Sequence, residues 1–321
     1  MLPPLLIIGS NGALGVALVR ACSARDLPFV ALGGRADCDI ADPQAVERAL
    51  ERYHPWAVVN AAGYVSVAAA EAEIFQCFRA NVKGPAVLAR ACAARDLPFM
   101  TFSSAMVFDG RKAPLSYVES DAVSPLGVYA RSKVEMERVV RREMPEALII
   151  RSSALFGPWD TGNFLTQALW SLAQGNVVYA ASDEYLTPAY LPDFADRVLD
   201  LLVEGATGIW HLGQGEMTAS GEHPAPLSRA AIIRRAAEMA GLKSIGRLLH
   251  PVPTNEIISR SSGGLRWAVL ASERSAPLLP SLDSALRDYV AQGAELWKPA
   301  VPAAIARTSP VPGWPRTLVN R

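Results

Sequence analysis

The stretch Leu5-Leu-Ile-Ile-Gly9-Ser-Asn-Gly12-Ala-Leu-Gly15 decides the fold. Four consecutive apolar residues have the length of a buried strand, and three glycines spaced G-x-x-G-x-x-G follow at the handover to a helix. Glycine there permits a tight turn and a close approach of backbone to a pyrophosphate, while the first N–H groups of the helix are free to meet the anion. The spacing predicts dinucleotide binding through Gly9, Asn11, Gly12, Ala13, Leu14 and Gly15. The competing reading is an ordinary glycine-rich turn between strand and helix.

Working outward, further apolar runs predict strands at Leu5 to Ile8, Phe29 to Leu32, Ala57 to Asn60, Phe99 to Ser103, Ala147 to Arg151, Val177 to Ala180 and Gly208 to Leu212. Between or after them, helices are expected at Ala13 to Arg25, Pro43 to Tyr53, Gly84 to Arg95, Gly127 to Glu143, Asn163 to Gln174, Asp193 to Glu204 and Ser228 to Ala240. One segment echoes another: Ala21-Cys-Ser-Ala-Arg-Asp-Leu-Pro-Phe29-Val returns as Ala91-Cys-Ala-Ala-Arg-Asp-Leu-Pro-Phe99-Met. Each copy ends a helix and begins a strand, since Pro cannot continue the helix. Strands alternating with helices of this length indicate an α/β fold, a doubly wound parallel (Rossmann) sheet with helices on both faces. We expect a dinucleotide-binding domain over 1–155 and a smaller, interleaved C-terminal α/β substrate lobe over 156–321, with strands near 176–212 partly returning to the sheet. Gly213 to Leu227 and the proline-rich tail from Lys298 read as irregular.

The chain has 321 residues, 50% of them hydrophobic and 19% charged, enough for a sizeable core. Lys plus Arg and Asp plus Glu are 31 each, and the resulting zero net charge argues against a nucleic-acid surface or a basic membrane patch. It permits a homodimer without requiring one. The longest early apolar run is far shorter than the roughly 20 residues that span a bilayer, so a cytoplasmic protein is expected. Cys22, Cys38, Cys77 and Cys92 lack ligand spacing and read as reduced core residues. The four histidines are scattered, and His54, before Pro55 at a helix end, suits a capping role.

NAD-preferring sites place an acid at the end of the second strand, whereas this strand runs Ala31-Leu-Gly-Gly-Arg35. Arg35 can pair with a 2′-phosphate, which predicts NADPH, with NADH as the alternative. Asp39 and Ile40 are placed beside the adenine, and Asp42 caps the helix that begins at Pro43. Tyr129-Ala-Arg-Ser-Lys133 lies in a helical stretch, so Tyr129 and Lys133 share a face. A phenol near pKa 10 needs a neighbouring ammonium to lower that value, and Lys133 supplies one. Ser104, where the fourth strand ends, is expected to hold a substrate carbonyl, and Ser103 to lie at the cofactor.

Together these residues resemble the extended short-chain dehydrogenase/reductase superfamily and, within it, the dTDP-4-dehydrorhamnose reductase family. The resemblance covers about residues 5 to 292. It rests on the glycine loop, Asp39-Ile40, Val59-Asn-Ala-Ala-Gly-Tyr64, Asn81-Val-Lys-Gly84, Ser103 to Gly110, Tyr129 to Lys133, Gly162-Asn-Phe164 and Leu186-Thr-Pro-Ala-Tyr-Leu-Pro-Asp193. It implies that Ser104, Tyr129 and Lys133 form a catalytic triad and that Ala61, Ala62 and Gly63 line the cofactor together with Tyr129 and Lys133. Asn163 then lies near the nucleotide diphosphate, and Val65, Met106, Phe108 and Ala154 face the sugar. The implied reaction is hydride transfer from NADPH to a keto carbon, with Tyr129 protonating the oxygen.

Departures fall in the substrate pocket. Ser104 stands where Thr is usual, Ala105 and Met106 replace Asp and Tyr, Val65 and Ala68 replace Thr and Asp, and Ala154 replaces Trp. Each buried polar group left unmatched costs roughly 1–3 kcal/mol, so the exchanges imply an altered, less polar pocket. Val16-Ala-Leu18 offers no Glu for the metal-bridged dimer of some members, and no metal is expected. Two alternatives stand beside the reductase: a noncatalytic dinucleotide-binding regulatory subunit, and an epimerase of the same superfamily. A dehydratase is disfavoured by Ala105 and Met106.

Overall fold

In the computed structural model, which describes residues 2–214, 226–257, 265–274 and 279–293, β1 (Leu5–Ile8) is buried at every position. It leads into α1 (Ala13–Ala24), β2 (Phe29–Leu32), α2 (Pro43–Tyr53) and β3 (Ala57–Asn60). Then come a single turn, α3 (Val67–Ala70), and α4 (Ile74–Phe78), which runs through a π-helical turn at Arg79–Lys83 into α5 (Gly84–Ala93). Next are β4 (Phe99–Ser104), a 3-10 turn at Ala105–Val107, α6 (Gly127–Glu143) and β5 (Leu148–Ser152).

Beyond β5 lie β6 (Leu155–Phe156), α7 (Phe164–Ala173), β7 (Val178–Ala181), β8 (Tyr185–Leu186), β9 (Ala189–Tyr190), α8 (Leu191–Val203) and β10 (Gly208–Leu212). They are followed by β11 (Leu227–Ser228), α9 (Arg229–Met239), α10 (Ile245–Leu248), β12 (Leu249–Val252), β13 (Trp267–Ala268) and α11 (Leu282–Gln292).

One six-stranded sheet, ordered β10-β5-β4-β3-β1-β2 and parallel throughout, organises the molecule. α1 and α8 cover one face over a core that includes Leu18, Phe194 and Leu199, and α2, α5 and α6 cover the other over Val46, Leu88 and Met136. The doubly wound sheet is thus the expected one. A separate core of Leu169, Ile232, Leu286 and Tyr289 joins α7, α9 and α11. Among the described residues no helix is long and apolar enough to cross a membrane, and all four cysteines are buried thiols.

The repeated segment has a local cause. At the end of α1, Leu27 N–H donates to Cys22 O at 3.0 Å and Asp26 takes a φ of 51°; at the end of α5, Leu97 N–H donates to Cys92 O at 3.1 Å and Asp96 takes 52°. Both are Schellman ends with Asp in the left-handed position that glycine usually holds. Asp42 caps α2 as expected, accepting from Gln44 N–H at 3.0 Å ahead of Pro43. His54 closes the same helix in a left-handed conformation, its backbone N–H reaching Leu50 O.

The Val177 to Ala180 strand is a correction. β7 does not enter the main sheet but pairs in parallel with β12, and Val177 and Tyr179 are 49% and 62% exposed. Four apolar residues satisfy any sheet, and the partner lies seventy residues on. β10 is the strand of the 176–212 stretch that returns to the main sheet, as expected, and α8 packs on that sheet beside α1. The tail from Lys298 and most of Gly213 to Leu227 lie outside the described residues.

Candidate active site

β2 lies on one side of β1 and β3 on the other, so the strand order reverses at β1 and leaves a crevice at the carboxyl ends. Gly9 sits there with a φ of 90°, and a Cβ on it would stand 2.4 Å from Ala62 N and 2.6 Å from the Ala61 carbonyl carbon. Ala61 N–H donates to Ile8 O at 2.8 Å, which fixes the two strand ends together. At Gly15 a Cβ would meet Gly9 O at 2.2 Å, whereas at Gly12 the nearest atom would be 3.5 Å away. Two of the glycines are thus demanded by the protein's own packing, and the third leaves a cradle open.

α1 begins with neither a side-chain cap nor an acidic residue. The N–H groups of Ala13, Leu14 and Gly15 therefore emerge without helical partners, in the arrangement that holds a phosphate. Asn11 lies across Gly33, its amide 2.4 Å from where a Cβ would project. These residues fit a dinucleotide pyrophosphate.

Arg35 is exposed on the loop after β2, close enough to Asp39 to help hold its carboxyl below the usual range. The expected acid beside the adenine is already engaged: Asp39 accepts from both terminal nitrogens of Arg79, at 3.1 and 2.6 Å, and from Ala41 N–H at 3.0 Å. Ile40 is buried, its side chain where a Cβ on Gly84 would be. The Asp39 carboxylate is thus already paired while its side chain stays 24% exposed, and Ile40 packs against Gly84. Asp37, which the sequence reading left out, accepts from Gly33 N–H at 2.8 Å at the end of β2.

At the end of β4, Ser104 caps the 3-10 turn, accepting from Met106 N–H at 3.1 Å. Its hydroxyl lies close enough to the Tyr129 phenol to work against the burial that raises the phenol's pKa. Lys133, one turn along α6, is buried, donates to Phe102 O at 3.0 Å and stands 5.8 Å from the centre of the Tyr129 ring. Its Nζ would be 3.8 Å from a Cβ on Gly63. The three expected residues and the loop after β3 therefore converge.

Their electrostatics differ from expectation. Burial pushes the Tyr129 phenol up to about 12, against which the neighbouring Ser104 hydroxyl works in the lowering direction. Burial likewise pulls Lys133 down to about 8, opposed by Cys77 and Glu137. Because burial outweighs the Ser104 contribution, the phenol is protonated at neutral pH and suited to give a proton rather than to take one.

The remaining expected positions divide. Val65 is 78% exposed, and Met106 and Ala154 are half-buried. Phe108 is completely buried, stacked on Tyr117 at 4.1 Å with the Arg151 guanidinium over its ring, so it is a core residue and not a substrate contact. Asn163 is also corrected. As the cap of α7 its Oδ1 accepts from Leu165 and Thr166 N–H, and its Nδ2 is taken up by Asp160 O and Thr166 Oγ1. No hydrogen-bonding capacity is left for a diphosphate. Ser103, on the opposite side of the strand from Ser104, donates to Glu137 at 2.5 Å and turns its hydroxyl away from the groove.

Asn81 escaped the sequence reading as a site residue. Held in the π-helical turn, it accepts from Tyr64 N–H at 2.8 Å and donates to Tyr64 O at 3.0 Å and Ser132 Oγ at 2.9 Å, while Ser132 Oγ donates to Tyr129 O at 2.6 Å. It ties the loop after β3 to the helix carrying Tyr129. A π turn has no periodicity signal, and the Asn81-Val-Lys-Gly84 string was its only trace.

Residues 3–261 match the RmlD substrate binding domain family. A probable low-salt glycan biosynthesis reductase, Agl14, of Haloferax volcanii is 32% identical over 230 residues, 67% of this chain and 76% of that protein. The dTDP-4-dehydrorhamnose reductase of Mycobacterium tuberculosis is 30% identical over 271 residues, 83% of this chain and 86% of that one. Among solved structures, dTDP-4-dehydrorhamnose reductase from Bacillus anthracis, in complex with NADP, superposes with a TM-score of 0.82 at 20% identity, covering 91% of this chain and all of that one.

Proposed function

The chain belongs to the RmlD substrate binding domain family, and from that membership we propose its activity: it is an NADPH-dependent reductase of a keto group on a deoxysugar nucleotide. The observation that carries the proposal is the convergence of Ser104, Tyr129 and Lys133 beside the open phosphate cradle. Relatives that carry this activity in their names, and a fold neighbour described with NADP, support it.

The free N–H groups of α1 and the open side of Gly12 would hold the pyrophosphate, and Arg35 the 2′-phosphate. NADPH, when bound, supplies the hydride. Ser104 Oγ, oriented by Met106 N–H, holds the keto oxygen against the Tyr129 phenol. Tyr129 gives its proton to that oxygen as charge develops on it, which its protonated state at neutral pH permits. Lys133, cationic below about 8, stabilises the phenolate left behind. Val65, Met106 and Ala154 present an apolar wall to the sugar, which favours a substrate with fewer hydroxyls on that side.

The test is NADPH oxidation, followed at 340 nm, with a panel of 4-keto-6-deoxy sugar nucleotides. Tyr129→Phe should lower kcat by about 10²- to 10⁴-fold while NADPH still binds. Bound NADPH with no Tyr129-dependent oxidation across the panel would return the chain to the noncatalytic, regulatory reading.

A further inference from the structure

The face of α6 that carries Tyr129 and Lys133 continues one turn on to Glu137. Lys133 and Glu137 grip consecutive residues of β4: Lys133 Nζ donates to Phe102 O at 3.0 Å, and Ser103 Oγ donates to Glu137 Oε1 at 2.5 Å. The next residue on the strand is Ser104. Behind Glu137, Arg151 on β5 makes a two-pronged pair, Nε to Oε1 at 2.8 Å and Nη2 to Oε2 at 2.7 Å, with the side chains only 3% and 7% exposed. Arg151 is held in turn 3.3 Å from His211 Nε2 on β10, whose backbone N–H donates to Glu119 at 2.9 Å.

A buried ion pair of this kind adds little stability over apolar side chains of the same volume. What it does supply is direction, because hydrogen bonds to one serine and one guanidinium forbid the sliding that apolar packing tolerates. We infer that Glu137 and Ser103 are positioning residues, a clamp that sets the register of α6 on β4 and so the spacing of the Ser104 hydroxyl, the Tyr129 phenol and the Lys133 ammonium. The inference rests on the reductase reading above. Glu137 acts on Lys133 a second way, its carboxylate and Cys77 on α4 opposing the burial that disfavours the ammonium, while Arg151 faces the carboxylate from the other side, with His211 against Arg151 and Glu119 on the His211 backbone.

Ser103→Ala removes only a hydroxyl, and Glu137→Gln keeps shape while losing charge; Glu135→Gln, which breaks an exposed pair with Arg138, is the control. Two readouts are taken, steady-state kinetics and the pH dependence of Lys133 acetylation by limiting acetic anhydride, scored by mass spectrometry without substrate. Both clamp variants should lower kcat about ten- to a hundredfold, with KM for NADPH moving far less, as misplacement by a fraction of an ångström does. The double variant should be no worse than the worse single one. Glu137→Gln should also move the acetylation midpoint to lower pH. A kcat and midpoint matching the control in both variants overturn the clamp, as does a kcat loss that disappears at temperatures where the variants are fully folded. If the wild-type chain reduces no keto-sugar, the reductase reading fails separately, and the rate of Lys133 acetylation in Ser103→Ala, which alters no charge, decides the clamp: a rate raised severalfold by the loosened seat upholds it and an unchanged one overturns it.

Discussion

Lys133 Nζ donates to the Phe102 carbonyl at 3.0 Å while standing 5.8 Å from the centre of the Tyr129 ring. One side chain thus anchors the helix to the strand and brings a positive charge over the phenol ring. Its burial, with that of Tyr129, separates the two groups widely on the pH scale, Lys133 near 8 and Tyr129 near 12.

As pH rises, Lys133 is the first of the pair to lose its proton. Because kcat/KM reports the free protein, it is expected to fall as pH passes through about 8. Lys133→Arg keeps its charge throughout that range, so the alkaline limb should move up out of it. The rate itself should drop, since a planar fork does not replace a point donor. Paired pH–rate profiles check this, and a limb that stays near 8 in the Arg variant would assign it to another group.

Two glycines of the first loop, Gly9 and Gly12, should separate by experiment. Gly9→Ala forces a Cβ to 2.4 Å from Ala62 N at a φ of 90°, and is expected to unfold or strongly destabilise the chain. Gly12→Ala meets nothing closer than 3.5 Å, so thermal unfolding should stay near that of the wild type. Its methyl group projects into the phosphate cradle, and the Kd for NADPH should rise at least about tenfold, a loss of roughly 1.4 kcal/mol. Calorimetric Tm beside titration of NADPH fluorescence tells the two effects apart.

What the sequence made legible follows from how locally each feature is encoded. The Schellman ends at Asp26 and Asp96 are written within six residues, and Tyr129 with Lys133 within one helical turn, so both could be read. The place of β7 depends on Leu249 to Val252, and the burial of Phe108 on Tyr117, Arg151 and Trp267, contacts that no local pattern announces. Asn163 is the instructive case: an Asn directly before a helical run is a capping signal, and that local physics outweighed the role carried over by resemblance. Glu137 continues the spacing of Tyr129 and Lys133 by one more turn, but the sequence reading stopped at Lys133.

The end of β2 makes the last prediction. Arg35 is exposed there, Asp37 is turned onto Gly33 N–H at 2.8 Å, and Asp39 is consumed by Arg79 at 2.6 Å. Of the charged side chains on this loop, the guanidinium is therefore the one free to meet a 2′-phosphate, and a charged hydrogen bond of that kind contributes roughly 1.5–3 kcal/mol. Arg35→Ala should weaken NADPH binding about ten- to a hundredfold and leave NADH binding almost unchanged, because NADH carries no phosphate at that position. Titrating both nucleotides against both proteins measures the ratio directly. Equal losses for the two nucleotides would mean that Arg35 supports the loop rather than reading the phosphate, and the choice of NADPH would then have to come from elsewhere in the crevice.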